Sequence, residues 1–256
     1  MPQYDTDQVE DPDQLDCPLM GIAVDSGPHQ SGEHSHQKSQ LLYAVQGVMT
    51  ITAGNQLHIL TPNRAIWLPA GLKHSATTSG FHYRSLYFCP RSFNDLPEET
   101  FQLNVTALLR ELILRVCQWP AHYPETGAET RLADVLVDEI LNAEQSSLQL
   151  PLPADRRLQV VVQLLMETPS GQWTMEELAK QAGASARTLS RRFREETGMS
   201  FSHWRQQLVL LKALELLSEG RSVTEVSSRL GFASDSAFIS MFRRLMGISP
   251  GRYLKQ

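Results

Sequence analysis

Three histidines at fixed spacing carry the first chemistry in this sequence. His34 and His36 stand one residue apart, Gln40 follows after three more and Gly47 after a further six, and downstream comes Pro69-x-Gly71-x2-His74. Residues i and i+2 of a strand point to one face, so His34 and His36 can meet a third imidazole brought by a neighbouring strand. Three imidazoles with an open position suit a divalent metal, zinc first, with nickel or iron as alternatives. Gln40 is a neutral amide, a weaker ligand than a carboxylate, and serves as a weak ligand or as support for a three-histidine site. Without metal, the same side chains would line a cavity for an organic effector. His29, His58 and His82, and the aromatic Trp67 and Phe88, lie in the same region and could face that cavity, although core packing is the default for each.

A second group is basic. Residues 186–194 place Arg187, Arg191, Arg192 and Arg194, with Ser190, around an apolar stripe of Leu189 and Phe193. A guanidinium presents a planar fork that matches guanine O6/N7 or a phosphate. A solvated basic face is the plain alternative for any charge run, so the elements around this one decide.

Those elements are written twice. Thr174-Met-Glu-Glu177 recurs as Ser222-Val-Thr-Glu225 and Gly183 as Gly231; after one inserted residue, Phe193-Arg194 recurs as Phe242-Arg243, Gly198 as Gly247, Ser200 as Ser249 and Trp204 as Tyr253. Each copy opens with a Ser/Thr-x-x-Glu capping box, where a hydroxyl and a carboxylate satisfy backbone N–H groups at a helix start. A glycine then ends the first helix, and a second helix buries Leu189 and Phe193, or Phe238 and Phe242, at i and i+4. Helix, glycine turn, helix is the helix-turn-helix outline, present twice.

The pattern Ala179-x3-Gly183, Leu189-x3-Phe193, Gly198, then Gly231-Phe232-x5-Phe238-x3-Phe242-x4-Gly247-Ile-Ser-Pro250-x2-Tyr253 resembles the paired helix-turn-helix domain of the AraC/XylS transcriptional regulators. The histidine constellation is similar to the two motifs of the cupin barrels, HxH-x3-E-x6-G and PxG-x2-H, with Gln40 in place of the glutamate and Thr78 where asparagine is usual. In cupins those positions hold a divalent metal. Carried over residue by residue, the first resemblance implies base reading by Arg187, Ser190 and Arg191. The second copy presents Asp235, Ser236, Ala237, Ile239 and Ser240, which include no long cation, with Arg243 and Arg244 placed for phosphate. Sequence specificity is therefore expected to concentrate in the first copy.

Charge and composition fit two domains. The net charge is -5, yet residues 152–256 hold 15 Lys and Arg against 10 Asp and Glu, which leaves 8 against 18 for residues 1–151. Only the basic half is suited to approach phosphate. Three widely spaced cysteines point to reduced thiols and not to a disulfide framework or zinc ribbon. No apolar run reaches membrane-spanning length, and residues 1–5 do not resemble a signal peptide, so a cytoplasmic protein with no membrane partner is expected.

The expected fold is α+β. Residues 1–20 read as a flexible acidic arm and 21–95 as a cupin-like barrel, with strands at 41–45, 48–52, 57–60, 65–68 and 83–88 and a turn at 53–55. Residues 96–144 read as a helical pair, over 97–119 and 129–143, that covers the barrel or, with slight preference, makes a homodimer. A proline-marked linker occupies 145–155, and 156–256 form an all-α double helix-turn-helix domain with a packing helix at 157–167 and a connector over Phe201–Ser218. That connector would hold the two second helices about one DNA turn apart, ~34 Å.

Together these readings describe a non-enzymatic, sequence-specific regulator that binds a double-stranded operator and senses a metal or small-molecule effector. RNA polymerase is a further candidate partner. The rivals are a cupin metalloenzyme, a dioxygenase or isomerase, fused to a DNA-binding module, and a regulator whose barrel is only structural.

Overall fold

The computed structural model describes residues 11–26, 29–62, 64–93, 95–120, 123–124, 126–146, 149–171 and 173–253. The chain divides into two compact units, one of Met1–Gly54 and His58–Leu148, the other of Asn55–Leu57 and Gln149–Gln256. No helix among the described residues is long and apolar enough to cross a membrane.

The first unit is an antiparallel sheet with helices on one face. Its long strands are β3 (Ser39–Ala53) and β6 (His74–Phe88), paired along most of their lengths, with β1 (Leu19–Ser26) and the short β2 (His29–Gln30) on the far side of β6. β4 (Gln56–Leu60) and β5 (Arg64–Leu68) also pair with β3, and β7 (Phe101–Asn104) and β8 (Gln145–Ser146) extend the sheet beyond β5.

The period-2 alternation of β3 and β6 sorts their side chains into two sets. Leu41, Tyr43, Leu86 and Phe88 join Trp67 in a buried cluster completed by Leu109, Leu112, Ile113 and Val116 of α1 (Ala107–Val116) and by Ala133, Leu136 and Ile140 of α2 (Ala128–Asn142). Leu42 and Ala44 pack in a separate cluster with Met49, Ile51 and Leu68. The helical pair thus covers one face of the sheet, and the other face is left for a pocket.

Four expectations change. Residues 41–45 and 48–52 are one strand, bent by register shifts at Ala44/Gln46 and Gly47/Met49, with Gly47 at φ 84 supplying a backbone conformation that a side chain would oppose. The helix expected over 97–119 begins only at Ala107, where the Thr106 hydroxyl caps it by accepting from Leu109 N–H at 3.1 Å; ahead of it Leu103 is buried in β7, opposite Ala65 of β5. The linker contains β8 and β9 (Gln149–Pro151), because its prolines stop a helix without stopping an extended strand.

The fourth change concerns the arm. Residues 1–10 lie outside the described residues, but the following ones are anchored. A 3-10 turn at Pro12–Gln14 lets the Asp13 carboxylate accept from Gln37 N–H at 2.8 and 2.9 Å, and the buried Lys38 ammonium donates to the Leu15 carbonyl at 2.5 Å. An acidic stretch that looked merely solvated instead straps the loop that carries His36.

The second unit is helical: α3 (Arg156–Glu167), α4 (Met175–Gln181), α5 (Ala186–Thr197), α6 (Phe201–Ser218), α7 (Val223–Arg229), α8 (Asp235–Met246) and α9 (Pro250–Tyr253). Both capping boxes form, Thr174 with Glu177 and Ser222 with Glu225. Phe193 packs on Trp204 with ring centroids 5.3 Å apart, and the duplicate pair Phe242 and Tyr253 lies at 5.9 Å. α6 contacts both α5 and α8, and its Trp204 indole N–H donates to the Pro151 carbonyl at 2.7 Å, which ties β9 to this unit.

Candidate functional site

The three histidines come together, though not as a pair on one strand. His34 forms an isolated bridge with His74, while His36 sits in the irregular stretch before β3. Gly71, at φ 76, donates its N–H to the His36 carbonyl at 2.8 Å, so the second motif is fastened to the first through a turn that needs glycine. The His74 ring centroid lies 4.4 Å from that of His34 and 5.0 Å from that of His36, and His34 and His36 stand 6.3 Å apart.

Each imidazole is held by its Nδ1. That atom lies 2.9 Å from the Gly32 carbonyl in His34, 2.5 Å from the Lys38 carbonyl in His36 and 2.9 Å from the Leu72 carbonyl in His74. A carbonyl can only accept, so the proton sits on Nδ1 in all three rings. In His34 and His74 Nε2 is then the atom left for function, whereas in His36 it already meets Gln40. Burial, opposed by the hydrogen bond to the Leu72 carbonyl and aided by the neighbouring His34 and His36 rings, pushes the His74 pKa down to about 4, so its ring is neutral near pH 7.

Gln40 stands beside this group as a hydrogen-bond hub. Its amide lies 3.1 Å from His36 Nε2, 2.6 Å from Ser85 Oγ and 3.1 Å from the Tyr87 hydroxyl. In the structure the amide oxygen faces His36 and the nitrogen donates to the two hydroxyls; turning the amide over lets its nitrogen donate to His36 Nε2 and its oxygen accept from Ser85 and Tyr87, which satisfies every partner. Gln40 thereby orients His36. Thr78 donates to the Val48 carbonyl at 2.9 Å and so secures the bent part of β3.

As a test of metal fit, the donor chemistry suits a borderline cation, since three imidazoles lie with ring centroids 4.4 to 6.3 Å apart. Among the described residues, however, no three His, Cys, Asp or Glu side chains form a closed metal-binding group as they stand. A cation would require the imidazoles to close on it.

What the geometry does form is a pocket. A cavity of about 160 Å³ is lined by the polar side chains of His34, His74, Gln40 and Tyr87 together with the apolar Leu42, Met49 and Ile51. Its walls come from register, Gln40 opposite Tyr87 and Leu42 opposite Ser85. Burial raises the pKa of Tyr87, so the hydroxyl keeps its proton. Tyr83, Tyr87, Ser31 and the apolar wall were not singled out from the sequence. The alternation Tyr83, Ser85, Tyr87 on one face of a strand was the available signal.

Of the other histidines singled out, His58 and His82 do not line the pocket. His58 is fully buried and neither ring nitrogen finds a hydrogen-bond partner. His82 is exposed, 2.9 Å from the Asp25 carboxylate. The His29 side chain lies outside the described ones, and Trp67 and Phe88 are core.

In the helical unit, α5 turns Leu189 and Phe193 inward and leaves Arg187, Ser190, Arg191, Arg192 and Arg194 exposed. Arg191 is paired with Glu195 at 2.6 Å. α8 buries Phe238, Met241 and Phe242 and exposes Ser236, Ala237, Ile239, Ser240, Arg243 and Arg244. Its half-buried Asp235 accepts from the Thr224 hydroxyl at 2.7 Å, and Arg244 donates to Gln206 at 2.9 Å. All the candidate DNA-reading residues except Asp235 are thus open to solvent, on two helices of like construction.

A pocketed sheet unit and a duplicated basic helix-turn-helix unit define a DNA-binding transcriptional regulator with a ligand-binding domain. The AraC-like ligand binding domain model matches residues 18–162 and a helix-turn-helix domain model matches residues 178–256. The HTH-type transcriptional regulator NimR of Escherichia coli (strain K12) is 32% identical over 246 residues, 95% of this chain and 90% of that one. The chain belongs to the AraC-type family of helix-turn-helix transcriptional regulators. The HTH-type regulator RipA of Corynebacterium glutamicum is 41% identical over 103 residues, which span 40% of this chain and 31% of RipA. Among solved structures, the AdpA DNA-binding domain in complex with a target DNA is 40% identical over 37% of this chain and 86% of that chain, with a TM-score of 0.35. Fatty-acid-bound ToxT of Vibrio cholerae is 11% identical over 92% of this chain and 94% of that chain, with a TM-score of 0.39.

Proposed function

We propose that this regulator reads its operator chiefly through α5, anchors itself to phosphate through α8, and is controlled by an effector in the pocket between His74 and Ile51. The observation that carries the DNA part is the contrast between two helices of one design. α5 exposes four arginines, whereas the first two turns of α8 expose only short or apolar side chains. Arginine discriminates guanine by a bidentate contact, while Ala237 and Ile239 can only touch thymine methyls. Arg243 and Arg244 supply sequence-independent attraction.

A second reading of the sensor is favoured by the three Nδ1 hydrogen bonds. His34, His36 and His74 would hold a divalent cation through Nε2, His36 exchanging its bond to Gln40 for the ion. Such an ion would supply a positive charge that draws the three rings together, and the backbone carbonyls fix their orientation. This reading is of a sensor ion, with no turnover.

Dimerisation is supported by the exposed apolar side chains of the helical pair, Leu108 at 53%, Val135 at 42% and Leu141 at 45%. Leu108→Asp should lower the sedimentation coefficient of a dimer to that of a monomer if this surface joins two copies.

Selection of bound duplexes from a random pool tests the DNA assignment. The wild-type chain should enrich a defined site, and Arg187→Ala should flatten it at one or two base pairs at a cost of ~1 to 3 kcal/mol. If Arg187→Ala selects the wild-type site unchanged, while Ile239→Ala or Ser236→Ala alters it, α8 is the reader.

A further inference from the structure

The polarity of the pocket narrows what it can hold. We propose that it takes a compact, uncharged ligand whose polar end donates hydrogen bonds, and that it turns away carboxylates and phosphates of the same size. This rests on the effector reading above and names the ligand's chemical class.

Among the polar lining residues, His34 and His74 both carry the proton on Nδ1, where the Gly32 and Leu72 carbonyls accept it. Their Nε2 atoms, without protein partners among the described residues, therefore present lone pairs. The rings lie only 4.4 Å apart, so the two acceptors can address neighbouring donors on one molecule. Among the other polar groups of the lining, Gln40 is engaged with His36, Ser85 and Tyr87, and Ser31 with the Ala76 backbone at 2.9 Å. Among the described residues no lysine or arginine lines the cavity. An anion would meet lone pairs without a countercharge beside an apolar wall, where desolvating its charge is costly.

The apolar lining and the volume set the size. Leu42, Met49 and Ile51 form an apolar wall, and the volume is about 160 Å³. An apolar cavity of ~150 Å³ holds benzene. One six-membered ring bearing one or two hydroxyl or N–H groups fills this space, and a long acyl chain does not fit.

The test uses the full-length chain stripped of metal by chelation and three probes of one size: toluene, resorcinol and benzoate. Binding is read from the methyl resonances of Met49, Leu42 and Ile51 and from the ring 15N resonances of His34 and His74. Resorcinol should bind about tenfold or more tightly than benzoate and shift the Nε2 resonances, as expected for hydrogen bonds to otherwise unpaired acceptors. His34→Ala and His74→Ala should each lose that advantage, with toluene binding showing that the pocket still forms. Benzoate binding as well as resorcinol, or an undiminished resorcinol advantage in both variants, overturns the donor assignment. Resorcinol binding only after zinc is restored would also overturn it, in favour of a metal-borne contact. If none of the three probes perturbs the cavity, the donor assignment and the effector reading of this pocket fall together.

Discussion

Replacing His58 with leucine should stabilise the protein, and by more in acid than at neutral pH. The imidazole is fully buried, with both nitrogens unpartnered, and burial alone pushes it down to about 4 from 6.5. An unsatisfied buried polar group costs ~1 to 3 kcal/mol, which leucine removes at any pH. The pH-dependent part follows from linkage. Because the folded pKa is depressed, the unfolded chain binds the proton first, so stability is full above about pH 6.5 and declines as pH falls toward 4. Between pH 7.5 and pH 5.0 that loss amounts to ~2 kcal/mol. His74 contributes the same slope to both proteins and cancels in the difference. Urea unfolding of wild type and His58→Leu should therefore show an advantage of ~1 to 3 kcal/mol at pH 7.5 that widens by ~2 kcal/mol at pH 5.0. Parallel pH profiles for the two proteins would refute the buried, neutral imidazole.

Other consequences concern the two sites. Glu195→Ala frees Arg191 from its 2.6 Å ion pair and removes a negative charge from the α5 face, so DNA affinity should rise in a filter-binding or anisotropy titration; exposed pairs contribute only ~0.2 to 1 kcal/mol, which sets the scale of the gain. Arg244→Ala should weaken binding to every duplex alike and reduce the slope of log affinity against log salt by about one. If the histidines hold an ion, the purified chain should bind about one divalent cation, as measured by elemental analysis, and the His34→Ala, His36→Ala double variant should bind none; equal metal content in both removes that site.

The helical unit was legible because its signals are local. A capping box spans four residues and a buried stripe repeats within two turns, so Thr174, Ser222 and the connector Phe201–Ser218 fall where spacing placed them. The arginines of α5 were equally readable, since turning Leu189 and Phe193 inward forces their neighbours outward.

The sheet unit was harder, because its information is long-range. A bulge at Gly47 hid the continuity of β3, and the residues from His74 to Gly80 show too little apolar alternation to announce a strand. The pocket depends on pairing Gln40 with Tyr87 across 47 residues of chain, which no local pattern reveals. His34 and His36 were legible as a pair through spacing, although a turn and a bridge bring them to His74, and the same-face geometry of a strand plays no part. The grip of Asp13 and Lys38 on the following loop was hidden by composition, since an acidic stretch ordinarily stays in water.

The central claim is that occupation of the pocket changes binding to DNA, and it can be measured in a single titration. The full chain and a fragment of residues 149–256, which retains the bond from Trp204 to Pro151, are titrated against the selected duplex with and without resorcinol, and again with and without Zn²⁺. A sensor shifts affinity only through different binding to two arrangements of the protein, and the ordinary coupling is ~1 to 3 kcal/mol, about 5- to 150-fold. The account predicts a shift of that size for the full chain with a ligand that fills the pocket, and none for the fragment. Equal responses in both, or a full chain whose DNA affinity ignores a ligand shown to occupy the pocket, would contradict it.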